Sequence, residues 1–242
     1  MNNQESESGF AELSFLNFLI IALKSININL LTSPTLPPPQ GGRVRVGDGA
    51  TMKSDQKRWD KRFGRKEFAL GKKPNSFLKK HIRLLPKGKV LDIATGEGRN
   101  AVFLSQHGFE VDAMDISERG LKKAQKLARE KGAKINTFLV DLDQYQIEKE
   151  RYNLIANFYF LKRRFIPKIK KGIKKGGKVI FETYILEHRT LGAGGPKQAK
   201  YFLKPNELLR LFKDFRIQLY REGIFKEGGR KKAVASLIAE KI

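Results

Sequence analysis

The chain has 242 residues, which is enough for one domain with a sizeable core. Its 49 basic and 25 acidic side chains give a formal net charge of +24, which favours anionic surfaces or substrates as partners. It contains no cysteine, which excludes disulfides, thiolate zinc sites and cysteine nucleophiles. Its three histidines are too far apart in sequence to indicate a metal site.

Residues 1–51 differ in composition from the rest of the chain. They hold three basic and four acidic side chains, whereas the remaining residues hold 46 and 21, a net charge of +25. Their apolar stretch from Phe15 to Leu23 is shorter than the ~20 residues of a membrane helix, and the acidic leader is unlike a signal peptide. Prolines and glycines follow, as in linkers. We expect 1–51 to be a disordered or spurious extension, with Met52 as the natural start, and 52–242 to form one cytoplasmic domain without a membrane anchor.

Apolar spacing and turn residues predict alternating helices and strands through this domain. The domain begins with two predicted helices, over 53–64 and from 74–76 to before Pro86, which are followed by a strand over 88–94, a helix over 99–107 and a strand over 110–115. We then predict a helix from its Ser117 cap to 131, strands over 135–140 and 152–158, a basic helix over 163–175 and a strand over 178–184. The last part is predicted to be a loop over 185–204, a helix over 206–212 and strands over 216–221 and 233–240. Strands that alternate with helices predict a Rossmann-like, doubly wound α/β sheet of seven mostly parallel strands. The last two strands, joined without a helix, predict a C-terminal antiparallel hairpin.

The most informative segment joins the first strand to the helix that follows it. The strand ends in Asp92, a turn with Gly96 and Gly98 leads into the helix, and a second acid, Asp115, ends the next strand. Glycines in such a turn let the backbone approach a ligand closely, because a Cβ atom would collide with it. The second acid can accept hydrogen bonds from both hydroxyls of a ribose. This layout predicts a site for an adenosine-containing ligand.

Two cofactors fit the spacing of this turn. A dinucleotide fingerprint needs a third small residue, and Ala101 satisfies that requirement, so the spacing alone does not exclude NAD. Asp92, however, lies four residues before Gly96, where its charge would repel a diphosphate. A carboxylate there suits a ligand that carries an ammonium and a sulfonium group. The residues therefore favour S-adenosylmethionine over NAD; the remaining alternative is a turn whose glycines serve geometry alone.

Several segments resemble one family of methyltransferases. Residues 59–63, which include Trp59 and Arg62, and residues 74–78 are similar to the entry segment of small bacterial class I S-adenosylmethionine-dependent methyltransferases of the tellurite-resistance-like group. Residues 176–183 are similar to the fifth strand of that group, and the segments 195–196 and 202–208 to its late loop and helix. The resemblance covers about residues 55–241 and concerns the fold and the cofactor more than the substrate.

The resemblance implies contacts with S-adenosylmethionine at the strand ends and in the entry helix. The implied residues are Asp92, Ala94, Gly96 and Gly98 around the methionine part, Asp115 at the ribose, Ile116, Asp141 and Leu142 at the adenine, Asn157 and Phe158 near the sulfonium, and Arg62 in the entry helix. For each acid the alternative is a helix cap or a turn former.

Three residues after or near the end of the fifth strand are candidates for a catalytic role, because substrates in such sheets lie beyond the carboxyl ends of the strands. They are Glu182, Tyr184 and His188. The loop that contains His188 would act as a lid; the alternative for His188 is a solvated loop residue. We expect Trp59 to be a core residue and Asn75 to be a helix cap. Methyl transfer to an anion needs little acid–base help, so the lack of an obvious base does not argue against an enzyme.

Three functions fit the charge and the site. The first is a methyltransferase, monomeric or homodimeric, that acts on a small anionic or nucleophilic acceptor. The second is an RNA or DNA methyltransferase, which the basic clusters over 162–175 and 230–232 favour. Against it, no separate nucleic-acid domain is predicted, 157–160 lacks the two prolines of amino-adenine methyltransferases, and the covalent route to carbon-5 methylation of pyrimidines needs a cysteine. The third is a non-catalytic protein that binds the cofactor.

Overall fold

The structure, a computed structural model, describes residues 49–242 apart from Ala193 and Gly228; the side chains of residues 49–53 and of Glu227 are not described. All but the last three residues of the predicted extension over 1–51 lie outside this part of the chain, so the extension stays a prediction. Within the described residues, no helix is both long enough and apolar enough to cross a bilayer.

The described part of the chain contains six α-helices and seven strands. The helices are α1 Gly49–Phe63, α2 Ser76–His81, α3 Arg99–Gln106, α4 Glu118–Glu130, α5 Ile166–Gly172 and α6 Glu207–Leu211. The strands are β1 Lys89–Ile93, β2 Glu110–Asp115, β3 Ile135–Leu139, β4 Tyr152–Phe158, β5 Ile173–Tyr184, β6 Phe215–Glu227 and β7 Arg230–Lys241. Short 3₁₀ helices lie at Ile82–Leu84, Arg163–Phe165, Leu186–Leu191 and Ala199–Tyr201.

All seven strands form one sheet in the order β3-β2-β1-β4-β5-β7-β6. The first five strands are parallel, and β7 is antiparallel to both β5 and β6. This confirms the predicted doubly wound sheet with its C-terminal hairpin. The strand order reverses between β1 and β4, and ligands of such sheets bind beyond the carboxyl ends at that point.

The two faces of the sheet bury different helices, because successive side chains of a strand point to opposite faces. Leu91 and Ile93 of β1 belong to a core that includes residues of α5 and α6. Val90, on the opposite face, belongs to a core that includes residues of α2 and α3. Alternation therefore places the carboxylate of Asp92 on the α2–α3 face, directly before the turn that enters α3.

One predicted helix was too long and the predicted hairpin too short. The helix over 163–175 is wrong after residue 172, because Ile173 is fully buried as the first residue of β5 and pairs with Tyr152 of β4. Gly176 and Gly177, which directly follow the predicted helix, lie within β5. Tertiary pairing outweighs the helical spacing of the isoleucines here. The hairpin strands extend to 215–227 and 230–241, because the β6–β7 ladder continues up to the connecting turn.

Candidate cofactor site and adjoining polar cluster

The turn after β1 has three residues in the left-handed region. Ala94, Gly96 and Gly98 have φ values of 52°, 58° and 80°. A Cβ atom on Gly98 would lie 2.5 Å from Cβ of Ala124 in α4, and one on Gly96 would lie 3.2 Å from the ring of Phe63 in α1. Packing inside the chain therefore requires a glycine at position 98, and at position 96 it leaves little room for a side chain, whether or not a ligand is bound. The strained φ of Ala94, a residue with a Cβ, is of the kind that clusters at functional sites.

Two buried carboxylates lie beside this turn. Asp115 accepts hydrogen bonds from the backbone N–H groups of Gly96 and Ser117, both at 2.8 Å, and burial raises its pKa to about 6. Asp92 accepts a bond of 2.6 Å from the hydroxyl of Thr95. Burial raises the pKa of Asp92 to about 7, and the nearby charge of Asp115 adds to this effect. Among the described residues, no cation forms an ion pair with either acid.

The ends of β3 and β4 contribute one turn former and one unsatisfied acceptor. Asp141 accepts from the backbone N–H of Asp143 at 2.9 Å, as the turn-forming alternative for this residue requires. Leu142 beside it is buried. Asn157 is fully buried and donates through its amide to the carbonyl of Phe160 at 2.8 Å, whereas its Oδ1 atom has no hydrogen-bond partner among the described residues. Since Asn157 pairs with Ile93 of β1, this acceptor lies next to the glycine turn and fits a ligand with a donor group there.

The entry helix α1 covers the glycine turn. The Phe63 ring packs against Gly96, and Asp60 accepts from the hydroxyl of Ser117 at 2.6 Å and from the backbone N–H of Arg119 at 3.1 Å. Asp60 thereby joins α1 to the first turn of α4. No local pattern indicates this contact, because it joins residues that are 57 positions apart.

Two predicted residues of α1 are not part of the buried core. Trp59 is half-buried, so the prediction of a core residue is wrong. Its ring stacks on Phe63, with ring centroids 5.5 Å apart. Arg62 is exposed, with its guanidinium 5.8 Å from the centroid of the Trp59 ring. Among the described residues Arg62 has no carboxylate partner, and no contact in the structure joins it to the glycine turn.

Sequence reasoning also missed the acid inside the turn. Glu97 is buried, forms an ion pair of 2.7 Å with Lys123 of α4, and accepts from the backbone N–H of Ala69 at 2.6 Å. It therefore fixes the segment between α1 and α2 against the turn. A glutamate between two glycines was a visible signal, but its partners are 26 and 28 residues away.

A second polar cluster lies around Glu182 at the end of β5. One oxygen of this buried carboxylate accepts from Asn75 at 2.7 Å and from Tyr159 at 2.9 Å. The other accepts from Ser236 at 2.7 Å and from Arg221 at 3.1 Å. Four donors, one of which is the cationic guanidinium of Arg221, thus compensate the charge, which leaves Glu182 no open position to accept a substrate proton.

Asn75 has the predicted role and an additional one. Its Oδ1 atom accepts from the backbone N–H of Leu78 at 3.1 Å, which confirms the cap of α2. Its Nδ2 group donates to Glu182 and, at 3.2 Å, to the hydroxyl of Tyr159. Tyr159 follows β4 with a φ of 61°, a strained conformation for a bulky residue. The polar cluster therefore joins α2 to the carboxyl ends of β4 and β5.

The other two catalytic candidates lie next to this cluster. The ring of Tyr184 stacks on His188 at 4.1 Å and lies 4.8 Å from the ring of Tyr159. His188 is 2% exposed and accepts from the backbone N–H of Ala233 at 3.2 Å through Nδ1. The alternative interpretation of His188 as a solvated loop residue is therefore wrong. Burial lowers the pKa of its imidazole.

Many of the cations in the predicted basic clusters have partners inside the chain. Lys162 and Arg164 pair with Asp143, and Lys170 pairs with Asp214. Arg163 binds both carboxylate oxygens of Glu207, at 2.5 and 2.9 Å. These side chains stabilise the fold, so the charge of this region is a weaker argument for nucleic acid than the sequence alone indicated.

The fold and the turn define a class of protein. A parallel sheet that ends in an antiparallel hairpin, with a glycine turn after β1 and acids at the ends of β1 and β2, is that of the class I S-adenosylmethionine-dependent methyltransferases. The model of the family described as "Tellurite resistance protein TehB" matches residues 59–231. The chain therefore belongs to this family.

Relatives of known sequence agree with this assignment. A probable S-adenosyl-L-methionine-dependent methyltransferase TehB of Haemophilus influenzae is 27% identical over 146 residues, which is 59% of this chain and 51% of the relative. A ubiquinone biosynthesis O-methyltransferase of Idiomarina loihiensis is 27% identical over 154 residues, 56% of this chain and 63% of the relative. The chain thus matches between half and two thirds of the length of these relatives.

Solved structures show the same fold. The crystal structure of TehB from Haemophilus influenzae superposes with a TM-score of 0.60 at 21% identity, over 77% of this chain and 67% of that one. A methyltransferase from Methanosarcina mazei superposes with a TM-score of 0.56 at 17% identity, over 70% and 99% of the two chains.

Proposed function

We propose that this protein binds S-adenosylmethionine beyond the carboxyl ends of β1, β2, β3 and β4 and transfers its methyl group to a small acceptor. The observation on which this depends is the pair of buried acids at the glycine turn. A buried carboxylate without a cation in direct contact is costly to ionise: burial raises the pKa values of Asp92 and Asp115, although the charge of Arg99 partly opposes this for Asp92. A cationic ligand at the turn would recover that cost, and a diphosphate would increase it.

Each part of the cofactor has a complementary group in this arrangement. Asp92 lies where the turn begins and would stabilise the positive charge of the methionine part, beside the backbone of Ala94, Gly96 and Gly98. Asp115 still has acceptor capacity on both oxygens after its two backbone bonds, and it would bind the ribose. Ile116 and Leu142 would contact the adenine, with Asp141 at its edge. The exposed Arg62 would reach this site only if its side chain left the ring of Trp59.

The acceptor side would lie at β4 and β5. The unsatisfied Oδ1 atom of Asn157 and the ring of Phe158 are next to the strand-order reversal. Bound S-adenosylmethionine supplies an electrophilic methyl group, and an acceptor lone pair forms the new bond while the electrons of the carbon–sulfur bond stay on sulfur. The chain would contribute positioning and exclusion of water, which account for large rate effects without a general base. Glu182 would act as a positioning residue, because donors already occupy its oxygens.

Titration calorimetry with S-adenosylmethionine tests the proposal. We expect one site per chain, and a loss of about 1–3 kcal/mol of binding free energy in Asp115→Ala, because hydrogen bonds from ribose to a charged acceptor disappear. Asp115→Asn should lose less, because its amide oxygen still accepts. Glu118→Ala is the matched control, since Glu118 is an exposed acid three residues further on.

Two results would count against the proposal in different ways. An unchanged dissociation constant in Asp115→Ala would show that the ribose assignment is wrong. The absence of any binding by the wild-type chain would refute the proposed function itself. A thermal melt of each variant without ligand shows whether the loss of bonds to Gly96 and Ser117 has unfolded the protein.

A further inference from the structure

Two segments of the domain carry positive charge without any acid. Residues 74–91 contain five lysine and arginine side chains and no acid, and residues 98–109 contain Arg99 and no acid. The first segment includes α2 and the second includes α3, and both helices pack on the same face of the sheet. Many cations over 162–175 have acidic partners, whereas these two segments bring none of their own.

A groove of about 550 Å³ lies between the ends of α2 and α3. The end of α2 and the turn after it contribute Lys79, Ile82 and Arg83, and the end of α3 contributes Phe103 and His107. Within the described part of the chain, no acidic side chain lines the groove. The lining therefore attracts anions.

The groove and the glycine turn lie at opposite edges of the sheet. Leu85 precedes β1 and His107 precedes β2, so both lie near the amino ends of these strands, whereas the turn follows the carboxyl end of β1. The five residues of β1 span roughly 15 Å at ~3.3 Å per residue. A group held in the groove is therefore too far from the turn to receive a methyl group from a donor bound there.

Two cations of the lining are available to an anion. Lys79 and Arg83 are exposed, and among the described residues neither side chain forms a hydrogen bond or an ion pair. Lys87 is different, because it donates to the carbonyl oxygen of His107 at the end of α3 and lies 4.4 Å from the centroid of the Phe109 ring. The anion site therefore depends on Lys79 and Arg83 alone, and both retain all their donors.

The rest of the lining is apolar or aromatic. Ile82 and Phe103 are half-buried, and Leu85 is buried beneath them. The exposed His107 packs its ring against that of Phe103, with centroids 4.1 Å apart. Cations beside aromatic rings suit single-stranded nucleic acid, whose phosphates meet the cations while its bases stack on the rings. An acidic peptide also supplies negative charge, but only a nucleic acid carries a planar group on every unit.

We propose that this groove binds single-stranded nucleic acid, as a partner of the protein and not as its methyl acceptor. Lys79 and Arg83 would contact phosphates, and a base would stack on His107 and Phe103. Both contacts use features that all nucleotides share, so the groove would bind different sequences with similar affinity. The inference goes beyond the proposed function and does not depend on it, because the groove is separate from the glycine turn.

Fluorescence anisotropy of a labelled oligouridylate on the order of 12 nucleotides long, titrated with the full chain, tests the proposal. Lys79→Gln combined with Arg83→Gln should weaken binding about tenfold at about 0.1 M salt. The double variant should also reduce the slope of log affinity against log salt by about 1.4, because two phosphate contacts are lost at ~0.7 each. Lys126→Gln combined with Arg129→Gln removes the same charge from exposed positions of α4 and is the matched control. It should weaken binding less than about twofold.

His107→Ala tests the stacking separately from the charge. We expect about fivefold weaker binding with an unchanged salt slope, because a ring and not a phosphate contact is removed. A thermal melt shows whether the variant is folded, since the imidazole also bonds to the carbonyl of Phe103. An affinity equal to that of the wild type in a folded His107→Ala would overturn the stacking assignment.

Three results would refute the groove as a nucleic-acid site. They are the absence of oligouridylate binding by the wild type, equal losses in the groove variant and the α4 control, and displacement of oligouridylate by polyglutamate at equal charge concentration. The last result would assign the groove to an acidic peptide. Calorimetry with S-adenosylmethionine on the same variants separates the two proposals. Normal cofactor binding without oligouridylate binding refutes only the groove, and the reverse refutes only the proposed function.

Discussion

The surface at the carboxyl ends of the strands has two halves, one around the glycine turn and one around Glu182. The residues that form each half are separated by different distances along the chain. In the half around the glycine turn, Asp115 finds its partners 2 and 19 residues away. In the half around Glu182, the partners are 23, 39, 54 and 107 residues away. The first half can therefore be recognised as a local motif, whereas the second exists only once β5, β6, β7 and α2 have met. In the proposed function, the local half would bind the methyl donor and the long-range half would lie on the acceptor side.

The largest effect is expected from disrupting the local half at Gly98. In Gly98→Val the new side chain would collide with Ala124 and its backbone would be held at a φ of 80°, so we expect a loss of about 3–5 kcal/mol in the free energy of unfolding. Urea denaturation measures this loss. Gly132→Val is the control, because that glycine also has a positive φ but nothing within 4 Å of its missing Cβ, and backbone strain alone should cost about 1–3 kcal/mol. Equal losses in the two variants would contradict the packing role of the turn.

A smaller effect is expected from the long-range half at Glu182. In Glu182→Gln the new NH₂ group would face two side chains that themselves donate hydrogen bonds, and Arg221 would lose its ion pair. We expect this to cost about 2–3 kcal/mol in the free energy of unfolding. Affinity for S-adenosylmethionine should stay within about twofold, because the donor site is separate. Glu187→Gln, on an exposed residue five positions further on, controls for loss of charge. A drop in cofactor affinity as large as the one expected for Asp115→Ala would show that the halves are not separable.

The smallest effect is expected from protonation of Asp92. Its pKa of about 7 in the ligand-free protein means that a cationic ligand must bind the ionised form, so affinity for S-adenosylmethionine should fall about tenfold or more from pH 7.5 to 5.5. The stability of the ligand-free chain depends on pH in the opposite direction. Because the folded pKa is raised, the contribution of Asp92 is full below about pH 4 and is lost as the pH rises through 7.

Calorimetry across this pH range, with Asp92→Asn alongside, measures the linkage. The variant should bind more weakly at pH 7.5 and should show a flatter dependence on pH, since the titration of residue 92 is removed. A pH dependence that is the same in wild type and variant would mean that Asp92 does not face the cationic part of the ligand.

The difference between the halves also explains which features could be predicted from the sequence. The bounds of β2 and β4 and the Ser117 cap follow from local patterns, and the structure confirms them. The position of Asp115 against the turn follows for the same reason. The end of α5 could not be predicted, because Ile173 continues the helical spacing and only its pairing with β4 shows that it belongs to a strand.

Long-range contacts account for the other features that local patterns do not predict. Asn75 is a good helix cap in any sequence, and nothing local indicates that its amide also reaches Glu182. His188 lies in a glycine-rich segment that is typical of a solvated loop, yet its ring is buried by stacking on Tyr184. Gly120 is a poor helix former near the start of α4, but a Cβ atom there would lie 3.0 Å from the carbonyl oxygen of Gly96. Each feature depends on a partner that only the folded sheet provides.

Hydrogen–deuterium exchange with and without S-adenosylmethionine tests the division into two halves most directly. We predict slower exchange in peptides that cover residues 92–98, 115–117 and 141–142, with no change in peptides that cover 221–234. Protection of 221–234 by S-adenosylmethionine without any protection of 92–98 would contradict the account.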